Sequence, residues 1–248
     1  MRSRRESRGA RCKCHRPSRA SRIFAAASGD LLRTAWAWYP TAPVAVAAAC
    51  GMFEHEEPPV VIGHSFGGFV TMETGAKHGR RLAGVMLVDS PVNPPERPGG
   101  PPNRELRPHR VYPTLEAALA RFRLAPEQKC ENDYLIDYVG RRSLKQVEGG
   151  WTWKFDPAIW QRFDRGTDAA ETLRSISCRV AIVRGDRSIL MPPEIGAYMY
   201  ELLGKAVPVV GIPQARHHVM LDQPLATTAA LRALLADWNH SRPNRRVG

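Results

Sequence analysis

The sequence predicts an α/β fold: a mostly parallel sheet flanked by helices, with one helical insertion between its strands. Three observations carry this. Short apolar runs at Val60-Val61-Ile62 and at residues 82–89, 178–183 and 207–212 alternate with helical patterns, as strands buried on both faces of a parallel sheet do. A turn rich in glycine joins the first run to its helix. Between the second and third runs lies a long stretch of helical and aromatic patterning without a comparable run. The 248 residues, 43% of them hydrophobic, suffice for one large domain or a domain with an insertion.

Residues 1–22 hold nine Arg or Lys and a single acid, Glu6, and have almost no hydrophobes. Such a composition cannot bury enough surface to fold, so a disordered basic arm is expected. Its Cys12, Cys14 and His15 are crowded and have no second cluster to complete a metal site. Clustered arginines can neutralise phosphates without a fold. The net charge of +12 is nevertheless concentrated here, and the rest of the chain carries only +4, so nucleic acid is not the expected partner.

Residues 23–57 are atypical. Ile23 to Ala37 and Val44 to Met52 read as alanine-rich helices, followed by a polar connection, and no strand is expected before Val60.

Val60-Val61-Ile62 then breaks into Gly63-His64-Ser65-Phe66-Gly67-Gly68. The pattern reads as strand, sharp turn and helix, the helix running from about Phe66 to His78 with Gly79 as its stop. A serine at the tip of a strained turn needs neighbours without bulk two residues to either side, because strand and helix pass closely there. The helix N-terminus then points at the serine and aims the Phe66 N–H toward a developing oxyanion.

This segment resembles the nucleophile elbow of the α/β-hydrolase superfamily, which implies a mostly parallel sheet of the α/β-hydrolase type. Two features of that family are not visible in the first 64 residues: the early strands, and the His-Gly type turn that supplies a second oxyanion N–H. A frame-altered reading of residues 1–49 and a truncated or degenerate hydrolase both account for this.

The remaining elements follow in order. Residues 82–89 form a second buried strand ending at Asp89, and with the elbow strand and helix make a right-handed βαβ unit. Residues 92–112 contain six prolines and form an extended exit. A helix capped by Thr114 closes at Pro126, and a second runs from about Asn132 to Val147. Trp151, Trp153 and Trp160 follow, as candidate lining for an apolar substrate group or as glue between layers. The insertion, residues 92–167, resembles the helical cap of many α/β-hydrolases. The core, residues 58–91 and 168–240, resumes with a helix at 168–176, a strand at 178–183, a helix at 192–203, a last strand at 207–212 with Pro208 suiting an edge, and a helix at 224–238. Residues 241–248 form a polar tail.

A serine hydroxyl needs a base within hydrogen-bond reach. His217-His218 lies just after the last strand. Similarity to the family's late-strand loop selects His217, with His218 facing the cap or solvent. The acid that orients the imidazole follows the penultimate strand of most relatives in a Gly-x-x-Asp turn, and here that position is Ser188. Asp89, at the alternative position after the elbow unit, is the favoured acid and Asp186 its rival, with a water or Ser188 as the remaining options. Asp222 reads as a helix N-cap.

The resemblance implies a serine hydrolase of esterase type, acting on a small or medium apolar substrate through an acyl-enzyme and needing no cofactor or metal. The alternative is a non-catalytic remnant acting as a binding protein. Serine at the elbow argues against the branches that use an aspartate there. The five cysteines are odd in number and mostly scattered, which argues against a disulfide framework and for the cytoplasm. There is no apolar run long enough to span a membrane.

Overall fold

The computed structural model describes residues 23–25, 41–97, 109–157 and 168–241. The basic arm, most of the helix expected from Ile23 to Ala37, Trp160 and nearly all of the polar tail lie outside them. Four strands form the body of the sheet: β2 (Val60–His64), β3 (Gly84–Val88), β6 (Arg179–Gly185) and β7 (Val209–Ile212). A short β1 (Ile23–Ala25) lies at one edge, and the order is β1-β2-β3-β6-β7 with every pair parallel. The β1 strand corrects the reading of Ile23 as a helix start: Ile23, Phe24 and Ala25 pair with Val60, Val61 and Ile62. A pair of β-prone residues before an alanine run is too short a signal to be read without the strand beside it.

Because strand residues alternate in direction, the sheet has two buried faces. Val61, Val85, Leu87, Val180 and Ile182 pack on one side with Met72 of α2 (Phe66–His78), Leu173 of α5 (Ala169–Arg174), and Ile195 and Met199 of α6 (Pro193–Leu202). Val60, Ile62, Met86, Val88, Ala181 and Val183 pack on the other with Leu234, Leu235 and Trp238 of α8 (Pro224–His240). Helices on both faces explain why these strands read as unbroken apolar runs rather than as alternating ones. Helix α1 (Ala42–Ala49) carries Pro43 in its first turn and ends three residues before the expected Met52, which lies in a following 3₁₀ turn.

Between β3 and β6 the chain leaves the sheet. The described part of this insertion holds α3 (Leu115–Leu119), capped by Thr114 Oγ1 accepting from Ala117 N at 3.1 Å, and α4 (Asp133–Arg142). It also holds a hairpin of β4 (Leu144–Val147) and β5 (Gly150–Trp153). The insertion is therefore mixed rather than wholly helical, and the helix expected to reach Val147 stops at Arg142. The Glu148-Gly149 turn, with Gly149 at φ 81°, reverses the chain where a helix would have continued.

Candidate active site

The site is built at the C-terminal ends of the parallel strands, where an open α/β sheet leaves a crevice. Ser65 follows β2 and Asp89 follows β3. Each extends the ladder by one bond: Ser65 N donates to Val88 O at 3.0 Å and Asp89 N to Val183 O at 2.7 Å. Each then turns sharply with positive φ, 52° at Ser65 and 46° at Asp89, a conformation that non-glycine residues rarely adopt and that clusters at functional sites. The elbow glycines have a steric reason. A Cβ on Gly63 would run into the Gly67 carbonyl and Thr71 Oγ1, and one on Gly68 into the Ser90 side chain.

His217 arrives from the loop between β7 and α7 (Val219–Asp222). Its Nε2 lies 2.8 Å from Ser65 Oγ and its Nδ1 2.7 Å from Asp89 Oδ2. With Nδ1–H donating to the carboxylate, Nε2 is the acceptor for the serine hydroxyl. His217 is 1% exposed and Asp89 fully buried, so this pair is removed from water. The carboxylate has further donors: Gly185 N gives Oδ1 a bond of 2.9 Å and Ser188 Oγ gives Oδ2 one of 2.6 Å. Ser188 Oγ itself accepts from Met191 N at 3.2 Å, which commits its own proton to Asp89.

The structure thus brings Ser65, His217 and Asp89 together. Asp186 is exposed in the turn after β6, and it is Asp89 that holds the imidazole. Ser188 stands where the family pattern has its acid, but it serves as a donor to Asp89. The Gly185-x-x-Ser188 spacing marks that position in the sequence, where Ser188 is weighed as a substitute for the acid and not as a donor to it. Phe66 is the first residue of α2.

His64 was also missed as part of the site. Its Nε2 donates to the His217 carbonyl at 2.8 Å, and its ring centroid lies 4.7 Å from that of His217. His218 completes a group of three rings, 4.8 Å from His217 and 5.4 Å from His64. Burial comes first among the causes that push His64 and His218 down to about 4, with the neighbouring His217 ring adding to it. Both are therefore neutral at pH 7.

The loop that carries His217 is fixed from two sides. Arg187 N donates to Ala215 O at 2.9 Å, and Gly185 must lack a side chain because a Cβ would meet the Ala215 and Arg216 carbonyls. On the other side the insertion is sewn to it. Gln128 Nε2 donates to Asp222 Oδ1 at 3.0 Å, His218 N to Gln128 Oε1 at 3.0 Å, and Asn132 Nδ2 to Leu221 O at 2.8 Å. Asp222 does not cap α8 as expected: its Oδ2 accepts from Arg216 N at 2.7 Å, closing the loop on itself.

Of the candidate substrate-binding tryptophans, Trp153 packs against Tyr112 and Phe122, with ring centroids 6.3 and 6.0 Å away. Trp151, half-buried on β5, pairs its backbone with Tyr112. Among the described residues no helix is long and apolar enough to cross a membrane.

Comparison with known proteins agrees with this architecture. No curated protein matches the sequence. Among solved structures the chain is similar to the thioesterase domain from the curacin biosynthetic pathway (20% identity, 79% of this chain and 73% of that one, TM-score 0.57). It is also similar to an esterase from Mycobacterium tuberculosis (21%, 79% and 67%, TM-score 0.58) and to a monoacylglycerol lipase from Paleococcus ferrophilus (16%, 83% and 76%, TM-score 0.51). At these identities the likeness is one of fold. A model of the alpha/beta hydrolase family matches residues 4–231. That match spans most of the sequence and includes the strand ends where Ser65, Asp89 and His217 meet, and the chain accordingly belongs to the alpha/beta hydrolase family.

Proposed function

We propose that the protein is a serine hydrolase that cleaves a carboxylic ester or related acyl bond of a small or medium apolar substrate. The observation that carries this is the continuous path from Ser65 Oγ through the His217 ring to Asp89, with links of 2.8 and 2.7 Å. In the proposed reaction Ser65 attacks the acyl carbon while His217 Nε2 takes its proton. Asp89, held by three donors, keeps the imidazole in the tautomer that accepts at Nε2 and stabilises the imidazolium that forms. The Phe66 N–H at the start of α2 helps hold the tetrahedral oxyanion, in the field of a helix N-terminus. His217 then returns its proton to the leaving alcohol, and water hydrolyses the acyl-enzyme by the same steps.

The thioesterase, esterase and lipase among the similar folds all carry names of acyl-cleaving proteins, which supports this reaction class. Trp153 is engaged with Tyr112 and Phe122, which favours a packing role for it and leaves Trp151 as the candidate for substrate contact on β5. The described cysteines, Cys50, Cys130 and Cys178, are free, in keeping with a reducing compartment such as the cytoplasm.

The deciding experiment is labelling of purified, folded protein with a fluorophosphonate probe. Wild type should be labelled at Ser65 and Ser65→Ala should not. Absence of labelling in wild type, with no turnover across a panel of esters, would leave a binding protein in place of an enzyme.

A further inference from the structure

Three imidazoles meet beside the nucleophile, and the acyl-transfer scheme uses one of them. His64, His217 and His218 each offer a ring nitrogen within 4.8 Å of those of the other two. The chemistry of each ring bears on what this cluster can hold. His217 donates Nδ1–H to Asp89, so the lone pair it has to give is at Nε2. His218 hydrogen-bonds the Pro126 carbonyl, while its Nε2 is buried and has no partner among the described residues. An orphaned ring nitrogen costs stability in a site that a cation would complete. His64 donates Nε2–H to the His217 carbonyl, which leaves its own lone pair at Nδ1.

We propose that His64, His217 and His218 form a binding site for a divalent transition ion of the zinc class, whose occupancy blocks Ser65. Neutral imidazoles suit zinc, copper and nickel and are poor ligands for magnesium or calcium. In a tetrahedral zinc site with Zn–N bonds of ~2.1 Å the ligand nitrogens lie about 3.4 Å apart, so binding draws together rings whose nitrogens here lie within 4.8 Å of one another. The outer shell is already present. A metal-bound histidine ordinarily donates its second N–H to a carboxylate or a backbone carbonyl, as His217 does to Asp89 and His64 to the His217 carbonyl. No covalent chemistry is involved: the ion takes the Nε2 lone pair that otherwise accepts the Ser65 proton, and chelation gives it back. Metal binding stands on the cluster alone; the blocking of Ser65 rests on the hydrolase reading above.

The two are separable by experiment. Cobalt(II), a spectroscopic stand-in for zinc, is titrated into the 248-residue chain. One equivalent should produce the intense visible absorption of a tetrahedral ion, abolished by zinc and retained in a Cys12→Ser/Cys14→Ser variant. His218→Asn and His64→Gln should each weaken cobalt and zinc binding at least tenfold. Zinc should also protect wild-type Ser65 from fluorophosphonate labelling, with recovery on adding EDTA, whereas magnesium should not. Absence of the cobalt bands, or undiminished binding in both histidine variants, overturns the site. Cobalt binding that follows this pattern in a protein unreactive to the probe without metal supports the site and refutes the hydrolase.

Discussion

At Asp89 a main-chain N–H, a serine hydroxyl and an imidazole all donate to one fully buried carboxylate, and this saturation keeps an acid in place where water cannot reach. Asp89→Asn replaces an acceptor with a group that can donate, which favours the wrong tautomer of His217. Turnover of an ester substrate should fall by roughly four orders of magnitude, while Asp186→Asn, altering an exposed turn, stays within one order of wild type. Steady-state kinetics on both variants decides between the two carboxylates. Much of this constellation was legible beforehand. A serine flanked by Gly63 and Gly67 after a β-branched run, and a histidine pair after a late strand, have few other uses in such a fold. The acid was harder, because Asp89 and Asp186 both follow strands and only the adjacency of β3 and β6 shows which one faces the ring. His64 was unreadable for a different reason: its partner is a backbone carbonyl 153 residues away.

The elbow is an element whose backbone allows almost no variation. Gly63 faces the Gly67 carbonyl across the turn, so a methyl group there must push strand and helix apart. Gly63→Ala should lower stability by about 1–3 kcal/mol, the range for overpacking a close contact, and displace Ser65 enough to suppress probe labelling. Urea unfolding followed by labelling of the folded fraction checks both effects. Element by element, the buried strands announced themselves because helices cover both their faces, and α5 announced itself through Asp168, whose Oδ1 accepts from Ala170 N at 2.8 Å. The hairpin β4–β5 was misread. Residues 144–147 follow directly on the apolar side formed by Tyr134, Leu135, Tyr138 and Val139 and read as its continuation, and the Gly149-Gly150 pair just beyond is a hairpin signal once strands flank it. Three-residue β1 lies below the length at which periodicity carries information.

For the molecule as a whole, the histidine cluster sets a limit on acid stability. In the folded chain His64 and His218 are pushed down to about 4, whereas in the unfolded chain they titrate near 6.5. Between those values the unfolded state binds more protons, so stability rises with pH across this window and is lost as pH falls through it. The thermal midpoint should therefore drop steadily from pH 6.5 to 4, and His218→Asn should flatten the drop. Differential scanning calorimetry of both proteins, each at matched ionic strength, measures it; parallel curves would remove His218 from the account.

The stitching of Gln128 and Asn132 to residues 216–222 makes the insertion and the base one mechanical piece. Any breathing of the insertion on that side drags the imidazole with it and lengthens the route the proton must travel. In the proposed reaction, proton transfer at Ser65 therefore depends on the insertion staying seated against the loop that carries His217.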